Sequence, residues 1–131
     1  MIIITISNIT YGEKLDFTDA GGVLSVAVKG HALFDDIAEN QGLNTKKGEN
    51  IICAAVSYAS LTLIKSVGII GGILFDYTIK NGFLQFSINL SELDQDKKNV
   101  LKILLESFII GLLDVKQKYG EFIELHFNYA R

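Results

Sequence analysis

The stretch GGILFDYTIKNGFLQFSINL, residues 71–90, is typical of a β-hairpin. Its two halves are predicted to be strands, and they are joined by Asn81-Gly82. This dipeptide between apolar runs is a strong signal for a two-residue turn. In the second half, apolar and more polar residues alternate as they do in a half-buried strand. The hairpin therefore predicts a sheet with at least one antiparallel pair.

A helix is predicted immediately before the hairpin, over residues 51–68. Ile52, Val56, Ala59 and Leu63 form one apolar stripe at helical spacing. Few polar residues lie on the remaining surface, so we expect this helix to be well buried. We expect it to start near residues 49–51 and to end at Gly68.

A second, longer helix is predicted after the hairpin. Ser91 with Asp94 resembles a weak capping box, and apolar residues then recur at helical spacing to about Tyr119. Gly120 is placed to end this helix.

Strands are predicted at residues 2–6, at residues 23–30 and after Gly120, with a turn-rich connection at 11–22. The order is ββαββαβ. It indicates an α+β fold, a mostly antiparallel sheet with two helices packed on it. The length of 131 residues suits a single domain, 1–131.

Composition excludes several classes of function. A net charge of −3 gives no basic footprint for direct nucleic-acid binding. The longest apolar stretch, 66–75, is shorter than the roughly 20 residues of a membrane span, and the N-terminus lacks the features of a signal peptide. One cysteine and two histidines without zinc-type spacing predict no metal and no cofactor. A lone cysteine fits a reducing compartment, so we expect a cytoplasmic protein that does not bind membranes.

Cys53 is the residue on which the functional interpretation depends. It is predicted in the first turn of the first helix, and Ser57 and Ser60 share its face. His31 ends a strand, and the polar segment 32–50 joins it to that helix. Candidate groups for orienting the imidazole are Asp35, Asp36, Glu49 and Asn50.

Two interpretations of Cys53 follow from these residues. Cys53 packs as a small hydrophobe in the core, which is the commoner role of a cysteine. Alternatively, it is a nucleophile whose proton His31 removes. His126 is interpreted as an ordinary strand residue that faces solvent or a neighbour.

The sequence resembles the ribosomal-processing cysteine protease family (Prp). The pattern KGHA at 29–32, then a loop, then IICAAVS at 51–57 is similar to that family's motifs. The matching residues are Gly30, His31, Ala32, Ile51, Ile52, Cys53, Ala54 and Ser57. Residues 104–125 also look like the C-terminal half of the family.

The resemblance implies a cysteine endopeptidase that removes an N-terminal extension from a large-subunit ribosomal protein. Cys53 would be the nucleophile and His31 the general base. Ser57, Asn50, Ala54 and Gly30 would bind or orient the substrate and the base. The resemblance also implies a homodimer.

Two features depart from the family pattern. Asn50 occupies a position that is usually acidic, and the segment 32–50 is longer than usual. An alternative is therefore a catalytically divergent ribosome-associated or dimeric binding module with a structural Cys53. A weaker alternative is a thiol acyl-transfer enzyme. Long connections are often functional, so segment 32–50 is predicted to act as a gate over Cys53.

Overall fold

This computed structural model describes residues 1–30 and 47–129, and only the backbone of residues 47–50. Within these residues the chain forms β1 (Ile2–Ser7), β2 (Ile9–Tyr11), β3 (Leu15–Phe17), β4 (Val23–Gly30), α1 (Lys47–Ile69), β5 (Asp76–Lys80), β6 (Phe83–Asn89), α2 (Gln95–Tyr119) and β7 (Ile123–Asn128). The predicted strands and helices are all present. Their bounds are close to the predicted ones except in the first half of the hairpin, where residues 71–75 are not in a strand and β5 is only Asp76–Lys80.

The main sheet has the order β5-β6-β4-β1-β7. Neighbouring strands are antiparallel except β1 and β7, which run parallel. Alternate residues of the three central strands are buried on one face, as with Ile4, Val28 and Leu84, which lie side by side in the register. The two helices pack on this sheet, and the five strands with the helices follow the order ββαββαβ. The predicted α+β fold is confirmed.

Residues 11–22 were expected to be a turn-rich connection, but this region contains β3 and the end of β2, which pair as a small antiparallel sheet. Strands of three residues with charged neighbours are too short to show a clear alternation. The two short strands β2 and β3 form an insertion between β1 and β4. Asn8, in the left-handed region with φ 74°, immediately precedes this insertion and anchors it. Its side-chain oxygen accepts bonds of 2.7 Å from the Thr18 hydroxyl and the Asp19 amide, and its side-chain nitrogen donates to the Asp19 carbonyl at 2.8 Å.

An ion pair ties the insertion to the second helix. Lys102 of α2 lies 3.0 Å from the carboxylate of Asp16 and stands 5.4 Å from the ring centre of Phe17. The hydrogen bond from Lys102 lowers the pKa of the exposed Asp16 carboxyl below its usual value, with a smaller contribution from the Phe17 amide.

The start of α2 differs from the prediction. Its N-cap is Asp94, whose carboxylate accepts a 2.9 Å bond from the Lys97 amide. Ser91 instead lies in a separate 3-10 turn, Leu90–Glu92, because the Asn89 side chain accepts hydrogen bonds from the Ser91 amide and hydroxyl. The predicted end is confirmed, since Gly120 is the C-cap.

Helix α1 is less buried than the sequence suggested. One face contributes to the core, but Ile51, Tyr58 and Ile69 are 57%, 64% and 83% exposed. In the described part of the chain, α1 is also the one helix long and apolar enough to cross a membrane, over Ile51–Ile69 with a mean hydropathy of 1.6. This segment is longer than the apolar stretch considered from the sequence. Core helices meet the same criterion of length and composition, and α1 packs against α2.

Candidate active site

Cys53 lies in the second turn of α1, not in the first as predicted. The helix begins at Lys47, ahead of the expected start, so six residues precede the cysteine. The unpaired N–H groups and the positive end of the helix dipole act mainly within the first turn. The dipole therefore contributes less to stabilising a Cys53 thiolate than the sequence suggested.

A strip of small polar residues lies on the buried face of α1, as predicted. Cys53 is 3% exposed, Ser57 9% and Ser60 1%. The Ser60 hydroxyl donates a 2.8 Å bond to the carbonyl of Val56, one turn back, which is a common local arrangement for a buried serine in a helix. Ser60 is thus accounted for by the helix itself. Cys53 and Ser57, one turn apart, form the chemically interesting part of the strip.

The depth of Cys53 limits what the thiol can do. Its neighbours in α1, Ile52 and Val56, are both 1% exposed and belong to the same hydrophobic core. Apolar burial disfavours an anion, so a nucleophile at this depth requires a partner that accepts its proton. A peptide also needs a path to the sulfur atom. Ala54, the next residue of α1, is only half-buried and so lies nearer to the surface than Cys53 does.

Gly30 is held at the end of β4. It pairs with Ile2 of β1, and its amide donates a 3.0 Å hydrogen bond to the carbonyl of Gly82 in the β5–β6 turn. Gly82 has φ 77°, and a Cβ built on it would stand 3.1 Å from the Gly30 carbonyl oxygen. The sequence marked Gly82 only as a turn residue. Its contact with β4 depends on strand pairing, for which the sequence carries no local signal.

Several predicted site residues lie outside the described residues. These are His31, Ala32, Asp35 and Asp36, with most of the predicted gate. Glu49 and Asn50 lie in α1, where only their backbone is described. The structure thus places Cys53, Ala54 and Ser57 on one helix and Gly30 at the end of β4. The pairing of Cys53 with His31 stays a prediction.

His126 is an exposed residue of β7, as interpreted from the sequence. Its Nε2 atom lies 3.2 Å from a carboxylate oxygen of Glu124, on the same side of the strand. Among residues 1–30 and 47–129, no group of three or more His, Cys, Asp or Glu side chains is placed to hold a metal ion.

Comparisons with known proteins give a family match and a shared fold. The sequence model of a family described as cysteine protease Prp matches residues 14–124. No curated protein matches the chain.

Solved structures share the fold. The crystal structure of SMU.848 from Streptococcus mutans superposes with a TM-score of 0.67 at 21% identity, covering 99% of each chain. The ribosomal processing protease Prp from S. aureus, in complex with a substrate peptide, gives a TM-score of 0.66 at 15% identity, covering 98% of this chain and 100% of that one. The same protease with a covalently linked product peptide gives 0.64 at 18% identity, with the same coverage. At these identities the likeness establishes the fold.

Proposed function

The chain belongs to the cysteine protease Prp family, whose sequence model covers residues 14–124, and on this basis we propose that it removes an N-terminal extension from a large-subunit ribosomal protein. Cys53 is the proposed nucleophile and His31 the proposed general base. The observation that carries the proposal is the position of Cys53. This residue is the one cysteine of the chain, and it shares the buried strip of α1 with Ser57.

The proposed reaction is acyl transfer in two steps. His31 takes the proton of the Cys53 thiol, and the sulfur attacks the carbonyl carbon of the scissile peptide bond. The bond breaks, the amine leaves with the proton from His31, and a thioester remains on Cys53. Water, deprotonated by His31, then hydrolyses the thioester and restores the thiol. A covalent step accords with the covalently linked product peptide in the S. aureus Prp structure.

Ser57, Ala54, Gly30 and Asn50 are proposed to support this reaction. Ser57 and Ala54 lie next to the nucleophile on α1 and would line the substrate site. Gly30 precedes the base at the end of a strand that Gly82 holds in place. Asn50 would orient the imidazole through a hydrogen bond, as an asparagine does in papain-like proteases.

The test is incubation of the protein with the large-subunit ribosomal proteins of the same organism, followed by intact-mass analysis. We expect one protein to lose a short N-terminal peptide, and Cys53→Ala to leave every mass unchanged. Unchanged masses with the native chain, or undiminished cleavage by Cys53→Ala, would overturn the proposal.

The alternative is a catalytically divergent binding module in which Cys53 is structural. The 3% exposure of Cys53 within the core is the observation that favours it. The two functions differ in the effect of Cys53→Ala. A purely structural thiol predicts altered stability with ribosome binding retained, whereas a nucleophile predicts lost cleavage in a folded protein.

We also propose that the chain is a single cytoplasmic domain that pairs as a homodimer. Exposed apolar residues support pairing, since Ile51 and Tyr58 on α1 and Ile103 and Ile110 on α2 are each more than half exposed. Each pair is spaced by seven residues, so its members lie on one side of their helix. Light scattering after size exclusion measures the mass. Two copies are expected for the native chain and a lower mass for Ile110→Lys.

A further inference from the structure

An open cleft of about 620 Å³ lies at the end of the sheet opposite Gly30. Val23 and Ser87 are among its lining residues, and so are Leu74, Asp76 and Glu92. Val23 begins β4 and Gly30 ends it, so the two are separated by about 23 Å at the rise of a strand. The cleft is therefore remote from the strand end that precedes the proposed general base.

The cleft is also remote from the proposed nucleophile. Cys53 and Ile69 are sixteen residues apart in α1, or about 24 Å along the helix axis. Leu74 follows the end of that helix and lies two residues before Asp76, the first residue of β5. The cleft is thus a different surface from the candidate active site.

The cleft exposes anionic and apolar groups together. Leu74 is 97% exposed and Val23 is 54% exposed. Asp76 and Glu92 are both exposed, and none of the ion pairs in the described part of the chain involves either carboxylate. Two carboxylates without a cation beside exposed leucine and valine fit a ligand that is both cationic and apolar.

The neighbouring strand β5 is an edge of the sheet. Among the strands of residues 1–30 and 47–129 it pairs with β6 alone, so alternate backbone N–H and C=O groups point away from the sheet. Tyr77 and Ile79 are 56% and 39% exposed, although their partners in β6, Phe86 and Leu84, are fully buried. The helical layer therefore stops short of β5 and leaves an apolar shelf on this face of the edge.

We propose that β5 and the cleft together bind an extended segment of a partner protein, basic at one end and apolar along its middle, which adds to the sheet as a sixth strand. The backbone of β5 supplies the ladder of hydrogen bonds, a common mode of peptide recognition. Apolar side chains of the segment cover Tyr77 and Ile79, and its lysine or arginine residues lie beside Asp76 and Glu92. Lys80, at the other end of β5, disfavours cations there and so sets the polarity of the segment. This inference does not depend on the proposed proteolytic function.

The test uses the full chain and a fluorescein-labelled peptide of two lysines followed by alternating valine and threonine. Fluorescence anisotropy measures its affinity, and hydrogen exchange measures protection of β5. We expect binding that weakens with added salt, together with slower exchange of the outward-facing amides of β5. The double variant Asp76→Asn with Glu92→Gln is expected to weaken binding by about two- to thirty-fold at low salt.

The matched control is Glu13→Gln with Glu121→Gln, which removes the same charge from exposed positions outside the cleft. It is expected to bind as the native chain does. The proposal is overturned by a failure of the peptide to bind, by equal weakening in both double variants, or by binding without protection of β5. Protection of β5 without peptide, in a particle of two chains, would assign this edge to a second copy and would also overturn it.

Discussion

The amide of Gly30 donates a 3.0 Å hydrogen bond to the carbonyl oxygen of Gly82, so the turn between β5 and β6 holds the end of β4. Gly82 adopts φ 77°, which favours glycine, and its α-carbon faces the Gly30 carbonyl. The strand that precedes His31 in the chain is therefore anchored on both sides, by β1 and by this turn.

Replacing Gly82 with alanine tests this anchor. Gly82→Ala is expected to lower the free energy of unfolding by about 1–2 kcal/mol, because an L side chain is disfavoured in the left-handed region and its Cβ would crowd the Gly30 carbonyl. Urea denaturation followed by circular dichroism measures the change. Gly111→Ala is the control, since nothing lies within 4 Å of its Cβ position and it sits inside α2. There alanine is expected to stabilise by up to about 1 kcal/mol. Equal effects at the two positions would contradict the assigned role of Gly82.

Asn8 is a second residue with a left-handed backbone, and its side chain makes hydrogen bonds as well. It is 2% exposed, has φ 74° and makes three side-chain hydrogen bonds to Thr18 and Asp19. Asn8→Ala is expected to lower the free energy of unfolding by about 2–3 kcal/mol, since it removes three hydrogen bonds and leaves alanine at a left-handed φ. Asn8→Gly relieves the strain and should recover about 1 kcal/mol of that loss. If the two variants unfold at the same urea concentration, the φ angle of Asn8 contributes nothing.

The sequence predicted what local patterns determine, and it missed what distant contacts determine. The turn at Asn81-Gly82 follows from its residue types, and the polar strip of Cys53 and Ser57 follows from the helical period of 3.6 residues. The contact between Gly30 and Gly82 requires strand pairing across more than fifty residues of chain. The sequence pattern places the start of α2 at Ser91, but the Asn89 side chain accepts a hydrogen bond from the Ser91 amide, so Ser91 lies in a separate turn and α2 begins after Asp94.

Removing the thiol separates catalysis from packing. Cys53→Ala is expected to abolish cleavage and to cost about 1 kcal/mol of stability, less than the roughly 2–5 kcal/mol of a large core truncation, because a single sulfur atom is lost. Cleavage assays and urea denaturation on the same preparation measure the two effects. Ser60→Ala is the matched control on the same buried strip, since the Ser60 hydroxyl bonds only within its own helix turn in the described contacts. It should retain activity, and a variant of Cys53 that fails to fold would favour the structural role.

The reactivity of Cys53 is expected to depend on His31 more than on the helix dipole. Six residues of α1 precede the cysteine, so the dipole alone contributes little. Iodoacetamide labelling of the native chain should reach half of its maximal rate at a lower pH than labelling of His31→Ala. Intact-mass analysis over a pH series measures both rates. Superimposable profiles would remove His31 from the proposed dyad.

Asn50 is the position at which a single substitution reports on both the helix and the base. Asn50 is the fourth residue of α1, and a negative charge in the first turn is stabilised by the helix dipole, so Asn50→Asp should raise stability by about 0.3–1 kcal/mol. If Asn50 orients His31, the added carboxylate also stabilises the imidazolium, and the pH profile of kcat/KM should shift to higher pH with activity retained. Asn50→Ala is the companion variant and should lower kcat/KM without that shift. Loss of activity in a stable, folded Asn50→Asp protein would mean that the amide is needed for another contact, which would contradict the orienting role.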